Sequence, residues 1–215
     1  MQDPYFLTEV AQDWNDSNLS RIQSVLSEAK NAVLQRSDIT QDPLLDTPNL
    51  RNIRGYLRWT IVQKLLADAA SNNQFDGITS EWVDLGSVYT LRLRGQYTTL
   101  TPCYLSDRNR SPQDTEYRKN LRIQNQVSPL LLGWTETEST GPANDLLHLL
   151  LVHGGKYEDF AELRAYTSDK EYTRLSRNIM INPMLLPSLD AEVIAEPEPT
   201  LINTTSVEES SEAQG

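Results

Sequence analysis

At Ile78 the hydrophobic rhythm of this chain changes, and that change limits what it can fold into. Before Ile78, apolar residues recur at three- and four-residue steps; after it they alternate. Separate stretches of helical and strand-like period point to an α+β domain, with helices packed on an antiparallel sheet.

Residues 17–36 place Ile22, Val25, Leu26, Ala29, Val33 and Leu34 on one stripe, with Ser17 or Ser20 as the cap. A second helix, 48–70, opens at Thr47-Pro48, where Thr suits the N-cap and Pro the first helical position. Asn72, Asn73 and Asp76-Gly77 supply the turn chemistry that ends it. Its Ile53, Leu57, Ile61 and Leu65 form a ridge, and its second half is apolar nearly all round, which predicts a central place in the core.

Segments 82–85, 88–94 and 97–104 are separated by Gly86-Ser87 and Gly95-Gln96, the spacing of two-residue hairpin turns. In the middle segment Tyr89, Leu91 and Leu93 alternate with Thr90, Arg92 and Arg94, so one face is buried and the other solvated and positive. Ser111-Pro112 with Asp114 opens a further helix to about residue 126. The apolar run 145–152 fits a strand or a buried helix equally. Helices are expected around 157–166 and from Ser168, the latter with Ser168 and Glu171 as a capping box and Tyr172, Leu175 and Ile179 as its apolar positions.

The expected fold is therefore α+β: a small antiparallel sheet of about three strands (residues 80–105), packed by helices 17–36, 48–70 and 112–126. A helical C-terminal subregion of about 140–182 follows. Residues 1–182 form one domain with a candidate sub-boundary near 128–144, in keeping with a chain of 215 residues. The stretch 183–215 is rich in Pro, Glu, Ser and Thr, and its last 25 residues hold six Glu and no base. It reads as an acidic, disordered tail.

A single cysteine, Cys103, precludes an internal disulfide or a Cys-rich zinc site and suggests a reduced, cytoplasmic setting. Its place in a strand-like run predicts a buried thiol. Residues 1–16 carry no basic residue, unlike a signal peptide, and no apolar run is long enough for a bilayer. A soluble protein with no membrane partner is expected.

The charge pattern is the main functional lead. Residues 51–122 hold eleven Lys and Arg against seven Asp and Glu, a local +4 in a chain of formal charge −11. Exposed like charges favour a partner of opposite sign, which could be nucleic acid, another polyanion, or the acidic remainder of the same chain. Three clusters are candidates for anion or nucleic-acid binding. Arg51, Arg54 and Arg58 fall within about 60° of arc on a regular helix, beside free N–H groups of its first turns. They could equally pair with Asp42 or Asp46. Arg92 and Arg94 lie on the solvated strand face. Arg118, Lys119 and Arg122, with Asn120, Gln124 and Asn125 beside them, combine groups that contact phosphates and base edges. A charged helix face can also be merely solvated.

Motifs for catalysis fail. His153-Gly154-Gly155 after an apolar run resembles an oxyanion-hole element, but no G-x-S-x-G elbow occurs. The only two histidines, His148 and His153, are five apart, which on a strand sends them to opposite faces. Glu81 and Asp84 could begin a metal-dependent nuclease pattern, yet the next strand offers Arg92-Leu93-Arg94 with no acid. No phosphate-binding glycine loop is present. The sequence thus suggests a non-catalytic accessory or regulatory protein with a basic surface, needing no metal or cofactor. The alternatives are a protein-interaction adaptor using its C-terminal Met184-Leu185-Leu186 segment, and a degenerate nuclease-like scaffold.

Overall fold

The computed structural model describes residues 4–35, 50–86, 88–110, 112, 115, 117, 119, 146–155, 159–166, 171–187 and 192–195. Three helices, α1 (Pro4–Asp13), α2 (Asp16–Gln35) and α3 (Leu50–Ser71), precede seven strands: β1 (Thr79–Asp84), β2 (Tyr89–Arg94), β3 (Thr98–Leu105), β4 (Leu147–Gly154), β5 (Phe160–Tyr166), β6 (Glu171–Arg174) and β7 (Glu192–Ala195). The strands form one mixed sheet in chain order, antiparallel throughout except that β3 and β4 run parallel.

This overturns the small three-stranded sheet and the helical C-terminal subregion. The expected meander is only the first half of the sheet, and the stretch expected to be helical supplies β4, β5 and β6. β4 is buried at all eight positions, which explains its unbroken apolar run: a strand covered on both faces shows no alternation. In β5, Ala161, Leu163 and Ala165 join the core under the helices while Phe160, Glu162 and Arg164 take the other face. The period there is two. The capping-box signal at Ser168 and Glu171 yields to tertiary pairing, because residues 171–174 hydrogen-bond as a strand to β5. Within the tail expected to be disordered, Glu192–Ala195 pairs with β6. The rest of that tail, and residues 120–126 of the helix expected over 112–126, lie outside the described residues.

The helices cover one sheet face. Asn15 caps α2, its Oδ1 accepting from the Asn18 N–H at 2.9 Å, so the helix starts earlier than Ser17 or Ser20 would set. Leu19, Ile22, Val25, Leu26 and Ala29 of α2 and Ile61, Val62, Leu66, Ala67, Ala69 and Ala70 of α3 pack on Leu91, Leu93, Leu100, Leu147, Leu149 and Leu151. Asn73, at φ 53°, ends α3 in the left-handed region that Asn tolerates.

Asp13 fixes the β2–β3 turn. Its carboxylate accepts from the N–H groups of Gln96, Tyr97 and Thr98 and from the Thr98 hydroxyl, at 2.7–2.9 Å. Because Gly95 N–H donates to Thr98 O, the two-residue turn is Gln96-Tyr97, one step beyond the expected Gly95-Gln96. Gly95 serves close approach instead: a Cβ there would stand 2.4 Å from the Asp13 carboxyl carbon.

β2 and β3 part company early. They pair only at Leu93–Leu100 and Arg94–Thr99, whereas β1 and β2 pair over six residues. Continuing the register would put Leu91 opposite Pro102, which has no N–H to give. The Leu91 N–H turns instead to the side-chain oxygen of buried Gln63 on α3. Pro102 thus opens the sheet, and Gln63 satisfies the amide left behind.

Candidate functional site

The clusters expected from sequence divide between the two sheet faces. Arg58 belongs to the helix side. Its Nη1 donates to the Tyr104 hydroxyl at 3.2 Å and to the Gly155 carbonyl at 3.4 Å, both neutral acceptors. Arg51 and Arg54 are helical positions of α3, and their side chains lie outside the description. Arg92 and Arg94 alternate with Leu91 and Leu93, so they occupy the opposite face. The α3 arginines and the strand arginines therefore do not merge into one surface across the sheet.

The strand cluster does meet the third cluster. Arg92 Nη1 pairs with Glu81 at 3.1 Å, and its Nη2 donates to the Tyr117 hydroxyl at 3.4 Å; Tyr117 also reaches Thr101 at 3.5 Å. Burial by itself would lower the Arg92 pKa, but hydrogen bonds and charge from Tyr117 and Glu81 outweigh it and leave the guanidinium more firmly protonated. Tyr117 thereby seats the start of the β3–β4 connection on the Arg92 face. Lys119, two residues on and about 200° round a helix, is exposed. Arg94 is exposed too, and among the described residues no carboxylate pairs with it. Arg118 and Arg122 lie outside the described residues.

A second ionic site, on β5, β6 and the loop after β3, went unread in the sequence. Glu162 is fully buried and accepts from Arg164 Nη2 and Arg174 Nε, each at 2.9 Å, and from Arg108. Arg164 is equally buried; its guanidinium also donates to the carbonyl of Arg108 at 2.6 Å and lies 4.8 Å from the Tyr172 ring centroid. Planar guanidinium groups suit such a junction, since each donates in several directions at once. The site ties the loop carrying Arg108 to two strands. Alternation in FAELRAY was the signal that could have revealed it.

Residues weighed for chemistry are kept apart. Strand β4 puts His148 beside Thr99, with Nδ1 2.9 Å from the hydroxyl, and His153 on the other face beside the Tyr104 ring. Glu81 and Asp84 are three apart on β1 and so face opposite ways. Glu81 is engaged by Arg92, and Asp84 accepts from the Gly86 N–H at 2.7 Å. The Gly155 N–H donates to Leu105 O at 3.0 Å, so it is not available to an oxyanion. Gly154, at φ 143°, has the Leu105 carbonyl where a Cβ would sit, 2.0 Å away. The glycine pair thus closes the parallel strands together. Among the described residues no group of three His, Cys, Asp or Glu is placed to hold a metal ion, and no helix is long and apolar enough to cross a membrane.

Comparison with protein-family models, curated proteins and solved structures finds no match to this chain.

Proposed function

We propose that this protein is a non-catalytic accessory or regulatory protein that contacts nucleic acid or another polyanion through the sheet face bearing Arg92, Arg94 and Lys119. The observation that carries the reading is the contrast in how cations are matched. Arg108, Arg164 and Arg174 share an internal carboxylate, while Arg94 and Lys119 stand in solvent with no described carboxylate beside them. Arg92, held by Glu81 and Tyr117, gives that surface a fixed edge. Long-range attraction to a polyanion needs no deep pocket, only cations of one sign on one side.

The test is binding of labelled single- and double-stranded DNA and RNA at low salt. Affinity should fall steeply as salt rises, through release of counterions. Absence of binding to all four ligands overturns the reading. The acidic tail would act as a competing internal polyanion, and truncation after Ala195, which spares β7, should then tighten binding.

The adaptor reading has one favourable observation: Ile181 and Met184 are exposed, at 79 % and 47 %. Leu185 is not available, since it packs on the core and bridges Ser176, and Leu186 N–H donates to Leu175 O. Deleting 183–187 would therefore disturb the fold. Ile181→Ser with Met184→Ser is the cleaner test, with loss of a protein partner and retained folding as the supporting outcome.

A further inference from the structure

We propose that the β1–β2 hairpin holds single-stranded nucleic acid, with bases stacked on Trp82 and Tyr89 while Arg94 on the reverse of β2 engages the backbone phosphates. The inference rests on the polyanion reading and narrows it to a strand with unpaired bases.

Trp82 and Tyr89 are large aromatic residues on the face that elsewhere forms the core, yet they are 49 % and 60 % exposed. In the β1–β2 register Trp82 stands opposite Leu91, so Tyr89 is its diagonal neighbour, about 7–8 Å away. Two rings at that separation on a pleated surface can both be met by successive bases of one strand. Val88, also exposed, continues the apolar tip.

The split at Pro102 makes this tip accessible. Beyond Leu93 the hairpin has no strand partner on its β3 side, and β1 is the outermost strand on the other. The hairpin thus projects with both faces and both edges near solvent. Its two carboxylates are already committed, Glu81 to Arg92 and Asp84 to the Gly86 amide, so neither opposes a phosphate with an unshared charge. Arg94 is exposed on the reverse of the same strand. Rings and a cation on one narrow element match a strand whose bases and phosphates diverge on opposite sides. A duplex hides its base faces and would leave the rings idle. Stacking on aromatic side chains is tolerant of base identity, so modest sequence preference is expected.

The decisive experiment measures fluorescence anisotropy of a labelled oligo-dT and of a blunt duplex of equal length, with wild type, Trp82→Ala, Tyr89→Ala, Trp82→Phe and Arg94→Ala. Both rings are half-exposed, so their truncation spares the fold, which circular dichroism checks. The expected result is preference for the single strand, a loss of roughly tenfold per ring removed, retention by Trp82→Phe, and little change in duplex affinity for the ring variants. Equal binding of both ligands, unaffected by Trp82→Ala and Tyr89→Ala but weakened by Arg94→Ala, would overturn the stacking inference and leave the polyanion reading intact. Failure of the wild type to bind either ligand would overturn both. A shift in oligomeric state on Trp82→Ala without loss of oligonucleotide binding would assign the rings to a protein contact and also overturn it.

Discussion

The two ends of the sheet carry similar numbers of cations and treat them in opposite ways. At the β5–β6 end, Arg164 and Arg174 turn inward onto buried Glu162, and Arg108 folds over from the loop to join them. At the β1–β2 end, Arg92 is half-buried against Glu81 and Tyr117, and Arg94 is left in water. Sequence charge alone treats all five as equal contributors to a basic chain. Geometry separates structural cations from available ones, and the separation follows sheet continuity. β4 and β5 pair over six residues, and the charges between them are enclosed; β2 leaves β3 after two pairs, and its charges stay in solvent.

That contrast can be broken by substitution. Glu162→Gln should have the largest effect on stability, because it strands two buried guanidinium groups without a counter-charge. A loss of about 3–5 kcal/mol is expected from urea unfolding; a loss below about 1 kcal/mol would mean the network is not the structural tie described. Asp13→Ala removes the acceptor for three backbone amides and a hydroxyl at the β2–β3 turn. About 2–3 kcal/mol should be lost, with faster hydrogen exchange at Gln96, Tyr97 and Thr98 as its signature. Gln63→Leu leaves the Leu91 N–H buried without its partner, at a cost of about 1–2 kcal/mol. Unchanged exchange at Leu91 in that variant would show that the split closes by itself. Arg94→Glu should alter stability by no more than about 0.5 kcal/mol while weakening polyanion binding more than any variant above. Equal binding by Arg94→Glu would remove the available half of the comparison.

How much of this was legible in the sequence varies by region. Helices α2 and α3 and the meander were readable because their periodicity is long and their ends carry turn chemistry, as at Asn73 and Gly86. The early opening of β2 from β3 was legible in principle, since Pro102 sits where a ladder donor is required, but only once the register is known. β4 was ambiguous because burial on both faces erases alternation. β5 and β6 were misread since Tyr172, Leu175 and Ile179 mimic helical spacing; in the fold Tyr172 packs with Cys103, Leu150 and Val152, and the other two with the main core. Cys103 is buried, as its strand-like surroundings suggest. For the candidate site, Arg92 and Arg94 sharing a strand face came directly from alternation. The separation of Arg58 from them did not, because nothing local tells which sheet face a helix will cover.

The central claim is that exposed cations at the β1–β2 end, and not those at the β5–β6 end, meet a polyanion. The most direct measurement is the slope of log affinity against log salt for a single-stranded oligonucleotide, compared between wild type, Arg94→Ala and Arg108→Ala. The account predicts a steep slope for wild type, a reduction of about 0.7 for Arg94→Ala as one phosphate contact is lost, and no change for Arg108→Ala. A slope indifferent to Arg94, or lowered by Arg108→Ala instead, would contradict it.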